Sequence, residues 1–190
     1  MNHKTSTTLQ QEFQWLGNII NTRFQSYFQG GEMDIFDIER VRRLGKDSYY
    51  TQLVQQHQMS FMEEAVLLLA LAPHVIPQIL DVFFIKNKTY DRDFSEFGGI
   101  TGTQHKGFLP TGETAAFILA GNDFNKRLEV QRLFNAEHFF AKEGILHLEH
   151  KNSNEPLLSG QLVLSKEFIH YFTEGHRITP NLVQIFQQND

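Results

Sequence analysis

From Leu9 to Phe28 the apolar residues Leu9, Phe13, Leu16, Ile20, Phe24 and Tyr27 recur every three or four positions, the period of one helix face. Gly30-Gly31 stops that helix. A second, short helix is expected from Asp34 to Leu44 through Ile35, Ile38 and Val41, closed by Gly45 and ending in the basic residues that a helix C-terminus favours. Tyr49, Tyr50, Leu53 and Val54 open the next helix, which runs into the polar stretch Gln55 to Gln58. Ser60 with Glu63 three residues on reads as a capping box that starts the most apolar helix of the chain, Phe61 to Ala72, which Pro73 should end. After Pro77 a further helix should bury Ile79, Leu80, Phe83 and Phe84.

The pattern then breaks. Residues 86 to 110 lack a helical period and hold Gly98, Gly99, Gly102 and Gly107, as expected of a long ordered loop, a feature that in compact domains is often functional. Thr111 caps a short helix from Gly112 to Ala120, closed by Gly121, and Asp123 caps another through Leu128, Leu133 and Phe134. The last third changes to a period of two: Ile145, Leu146 and Leu148 form one strand and Leu157 to Leu164, with Gly160 inside it, contains a second. Together they make a hairpin over 145–164. Ser165 caps a final helix holding Phe168, Ile169, Tyr171 and Phe172, which ends at Gly175. The fold class is therefore mainly α with a small β-hairpin (α+β). It divides into a helical N-terminal segment 1–47, a helical domain 48–175 with the glycine-rich loop 94–110, and a linker 176–190; helices followed by one hairpin resemble a winged-helix plan, a pattern that other α+β arrangements share.

Composition narrows the function classes. The 190 residues include no cysteine, which removes disulfides, thiolate metal sites and cysteine nucleophiles together and agrees with a reducing, cytoplasmic location. The polar N-terminus lacks a signal-peptide core, and the longest apolar run, Ala65 to Ala72, falls far short of the roughly 20 residues that span a bilayer. The net charge of -5 comes from residues 61–190, which carry 11 basic and 16 acidic side chains, and such an excess repels phosphate backbones. The one basic knot, Arg40, Arg42, Arg43 and Lys46, is interrupted by Glu39 and followed by Asp47. It is expected to be a solvated helix face rather than a nucleic-acid contact.

Tests for chemistry turn up no catalytic centre. Gly102 and Gly107 have the separation of a Walker loop, but Phe108-Leu109 occupies the places of the phosphate lysine and the magnesium-binding hydroxyl. His147 and His150 lie three apart in a strand and point to opposite faces, His138 is isolated in sequence, and His74 follows Pro73 as a helix-terminus residue. Glu63, Glu64 and Glu113 sit in first helical turns, where the helix dipole accounts for them. Asp91, Asp93 and Glu96 have no specified nucleophile, and Ser159-Gly160 lacks the frame of a nucleophile elbow. No catalytic, cofactor-binding or metal residues are expected. What remains is a candidate protein-docking segment in which Phe94, Phe97, Ile100, Phe108 and Leu109 are interleaved with four glycines. Aromatic rings give contact area and glycines let a backbone come close.

Three blocks carry a family resemblance: Leu67-Leu68-Leu69-Ala70-Leu71-Ala72-Pro73-His74, Glu96-Phe97-Gly98-Gly99, and Gly107-Phe108-Leu109-Pro110-Thr111-Gly112-Glu113-Thr114. Glu155-Pro156-Leu157-Leu158-Ser159-Gly160, Leu164-Ser165 and Phe172-Thr173-Glu174-Gly175 follow in the same order. Over Tyr49 to Gly175 the chain resembles the N-terminal region of a bacterial family of AAA+ ATPases similar to those of phage-tail-like contractile injection systems, a type common in Bacteroidetes. The resemblance implies a winged-helix-like region ahead of an ATPase module that these residues do not contain. No Walker A, Walker B or arginine finger is present. It further implies a non-catalytic adaptor or regulatory role, with a client protein or the ATPase module of the same chain as partner. ATP and magnesium would bind only in that module, and any homo-oligomer would form through the motor. A structural or oligomerisation domain, a winged-helix nucleic-acid module and an unrecognised enzyme stand as alternatives.

Overall fold

The computed structural model describes residues 3–31, 34–40 and 48–174, with side chains from Thr8 onward. Helix α1 (His3–Gln29) buries Leu9, Phe13, Leu16, Ile20 and Phe24 as the periodicity requires, together with Trp15 and Ile19. It stops at Gly30 and Gly31, whose positive φ angles of 70° and 152° suit residues without a Cβ. The helix expected over Asp34 to Leu44 does not form in its described part. A single 3-10 turn, Ile35–Asp37, is capped by the Asp34 carboxylate, and Ile38 is already extended at φ -67°, ψ 112°. Residues 41 to 47, with Arg42, Arg43 and Lys46, lie outside the described residues.

Helix α2 (Tyr49–His57) starts from a Ser48 cap, and α3 (Phe61–Val75) starts from the capping box read in the sequence, Ser60 and Glu63 exchanging side chain for backbone in both directions. All of Ala65 to Ala72 is buried. Pro73 does not end α3, which continues to Val75, with the Ile76 N–H bonding the Ala72 carbonyl. Proline deletes one hydrogen bond there without forcing the last turn open. Pro77–Phe84 is a 3-10 helix rather than an α-helix. Its tighter turn buries Leu80 and Phe83 but leaves Ile79 half-buried and Phe84 exposed.

The stretch 86–110 is ordered, as expected, but not structureless. Two short antiparallel hairpins, β1 (Lys86–Asn87) with β2 (Arg92–Asp93) and β3 (Ile100–Thr101) with β4 (Phe108–Leu109), flank a 3-10 turn at Ser95–Phe97. Helix α4 (Gly112–Ala120) is buried nearly throughout and packs on α5 (Phe124–Arg132), capped by Asp123. A short helix that the period did not reveal, α6 (Phe139–Lys142), leads into the hairpin of β5 (Leu146–Glu149) and β6 (Gln161–Leu164), paired from Leu146↔Leu164 to Glu149↔Gln161. The second strand begins after Gly160, not around it, because Leu157–Ser159 forms a 3-10 turn. Beside this hairpin Thr111 bridges Gln161 and the Leu162 N–H bonds the Pro110 carbonyl at 2.8 Å, so the chain entering α4 adds a third edge to the small sheet.

Helix α7 (Lys166–Glu174) follows. Ser165 stands at its N-terminus through its backbone carbonyl, while its buried hydroxyl has no hydrogen-bond partner. The expected stop at Gly175 lies outside the described residues. One hydrophobic core runs from Leu9 to Phe172, and α1 packs on both α3 and α4. The molecule is mostly helical with a few small antiparallel hairpins. Among the described residues no single helix is long and apolar enough to cross a membrane.

Candidate protein-docking site

The glycine-rich loop is built around Thr111. The Thr111 hydroxyl, 1% exposed as a residue, accepts from the Gly99 N–H at 3.0 Å and from the Thr114 N–H at 3.4 Å, which ties the loop to the first turn of α4. Gly98 and Gly99 have φ of +60° and +83°, and a Cβ at Gly99 would lie 2.0 Å from Phe108 Cζ. The close approach that these glycines permit is therefore to their own chain. Phe97 is 1% exposed and Phe108 5%, and both belong to a ring cluster that joins Phe24, Phe83 and Phe117. Phe94 is half-buried against Tyr27, Phe28 and Phe97, while Ile100 and Leu109 are half-buried on the paired strands β3 and β4. Of the five residues singled out in the sequence, two are core. Phe94, Ile100 and Phe108 line a small cleft of about 180 Å³ with Phe83, Phe84 and the backbone of Gly98-Gly99.

A second surface lies on α5. Its buried side carries Val130, with Leu133 just beyond the helix end, whereas Phe124 is 71% exposed and Leu128 40%. At about 100° per residue, Phe124 and Leu128 are one turn apart on a single face and Val130 points well away from it. Of the three cations on this helix, Lys126 and Arg127 are engaged with the protein itself, while Arg132 in its last turn is exposed. Arg127 Nη2 bonds Glu113 Oε2 at 2.5 Å, which holds the guanidinium pKa above its ordinary value, and Lys126 reaches Asp34 at 3.7 Å and lies over the Phe36 ring. Glu113 is thus an ion-pair partner as well as a first-turn residue. The sequence reading ran this helix through Leu128, Leu133 and Phe134, whereas it ends at Arg132 with Leu133 as its C-cap.

Polar groups elsewhere are engaged in holding elements together. Glu64, 5% exposed, and Glu12, 4% exposed, receive the Arg40 guanidinium between them at 2.5 and 2.7 Å, and its Cζ sits 3.9 Å from the centroid of the Trp15 ring. Arg40 is therefore a half-buried clasp joining the 34–40 segment to α1 and α3 through two buried carboxylates. Burial pushes its pKa down, but the bond to Glu64 and the surrounding negative charges more than offset this, so the group stays cationic. The Glu64 carboxylate is explained by this clasp and by the Tyr50 hydroxyl, which donates to it at 3.4 Å, rather than by the helix dipole alone.

The histidines divide in the same way. Nδ1 of His138 accepts from the Phe140 N–H at 3.2 Å and caps α6, so Nε2 carries the proton donated to Glu63 at 2.9 Å. His57 stacks on Phe139 with ring centroids 4.4 Å apart and approaches Glu143 at 3.1 Å off the hydrogen-bond axis. His147 lies within β5, and His150 follows it and bonds the Leu157 carbonyl at 2.7 Å. Burial, with His105 nearby, lowers the pKa of His74 in the last turn of α3. Asp91 occupies the β1–β2 turn at φ 47° and Asp93 is exposed, while Glu96 accepts from the Tyr27 hydroxyl, so the three do not form a shared acid-base centre. Burial and Glu96 push the Tyr27 phenol up to about 12. Ser159 donates to the Pro156 carbonyl at 2.7 Å. Among the described residues no three His, Asp or Glu side chains gather as a metal site. No protein-family model matches the chain, and no curated protein and no solved structure matches it either.

Proposed function

We propose that the chain is a non-catalytic protein-interaction domain of winged-helix-like build, the adaptor or regulatory part of an AAA+ ATPase that remodels or assembles a protein complex. The build is supported by the order of elements: a core helix α3, an edge at Pro110–Thr111, the packed helices α4 and α5, the short α6, then the hairpin β5–β6 with Thr111 bridging β6 on the side away from β5. In a winged helix the second of the two packed helices presents the recognition face, and here that helix is α5. A fold of this kind serves nucleic-acid and protein recognition alike, so the side chains on the face decide.

The observation that carries the protein reading is the α5 surface itself. It offers Phe124 and Leu128 to solvent while Lys126 and Arg127 are turned to Asp34 and Glu113, so that Arg132, one turn beyond Leu128, is the single exposed cation beside them. Duplex DNA is held by cations free to neutralise phosphates, whereas an exposed aromatic beside an aliphatic residue one turn away suits a protein partner. The cleft that Phe94, Ile100 and Phe108 line with Phe84 is a second contact region for the same role. The link to an ATPase rests on the family resemblance of the blocks from Leu67 to Gly175.

The test uses the whole chain, its Phe124→Ser/Leu128→Ser double variant, and a purified ATPase module of the resembling family. Complex formation is followed by size-exclusion chromatography with light scattering, and binding of a labelled 30-base-pair duplex by fluorescence anisotropy. The expected result is a complex that the double variant weakens at least tenfold with an unchanged melt, and no duplex binding at physiological salt. Duplex binding, or a complex indifferent to the double variant, overturns the assignment of this face.

A further inference from the structure

We draw no further inference here: the strongest candidate, the open apolar groove between α1 and the end of α3 lined by Leu9, Phe13, Gly17, Val75, Ile76 and Ile79, carries nothing because nothing in the structure shows what covers it.

Discussion

Replacing Arg40 by Met removes the cation that bridges two carboxylates while keeping most of the side-chain volume over Trp15. The carboxylates of Glu12 and Glu64 are 4% and 6% exposed, so water cannot take over the solvation that the guanidinium supplies, whereas the arginine itself is 26% exposed. Breaking a fully buried pair costs about 3 to 5 kcal/mol, and the partial exposure of Arg40 places this case near the lower end, about 3 kcal/mol. The stacking of the guanidinium on Trp15 accounts for about 0.5 to 1 kcal/mol of it. With a urea m-value of about 2 kcal/mol/M, the unfolding midpoint should fall by about 1.5 M with an unchanged slope. The triple replacement Glu12→Leu, Arg40→Met, Glu64→Leu removes the buried charge on both sides and should regain most of that loss, because apolar packing of similar volume substitutes well for a buried ion pair. A loss under about 1 kcal/mol for Arg40→Met, or a triple variant less stable than the single one, would refute the clasp. The segment 34–40 would then be held by Ile35, Phe36 and Ile38 and by the Asp34–Lys126 pair.

Gly99→Ala places a methyl carbon 2.0 Å from Phe108 Cζ at a φ of +83°, and Phe108 cannot yield because it stacks on Phe83. A loss of about 2 to 4 kcal/mol in a thermal melt is expected from the backbone and overpacking terms combined, and an unchanged melt would show that the loop does not seat on Phe108. Leu69→Ala, at a position 1% exposed, should cost about 2 to 5 kcal/mol through lost transfer energy and a cavity; less than about 0.5 kcal/mol in a denaturant melt would remove α3 from the core. Glu63 is pushed up by burial, but its bonds to Ser60 and His138 outweigh this and hold it below the ordinary carboxylate value of 4.5. Its contribution is therefore complete above that value and lost as pH falls through the lower folded value. Glu63→Gln should flatten this acid limb in melts taken from pH 6 to pH 3, and a limb that remains equally steep would assign it to other carboxylates.

Local chemistry made much of the fold legible. The Ser60/Glu63 box, the Thr111 and Asp123 caps and the Gly121 stop each depend on residues within a few positions of one another, and each is present where the pattern put it. The expected docking segment was legible as a segment but not as a surface. Phe97 and Phe108 look the same in a sequence whether they face solvent or fill the space between Phe24, Phe83 and Phe117, and only the route of the 86–110 hairpins decides which.

Arg40 reads as one cation of a basic run, yet its environment is set by carboxylates 28 and 24 positions away on two different helices. The same holds for α5, where long-range partners, Asp34 and Glu113, draw Lys126 and Arg127 onto the protein and leave Phe124 and Leu128 exposed. Helix periods, caps and turns are free energies of neighbours along the chain, so the sequence by itself determined them. Burial and ion pairing are free energies of neighbours in space, and which apolar or charged residue meets a partner and which meets water was decided only when the core closed.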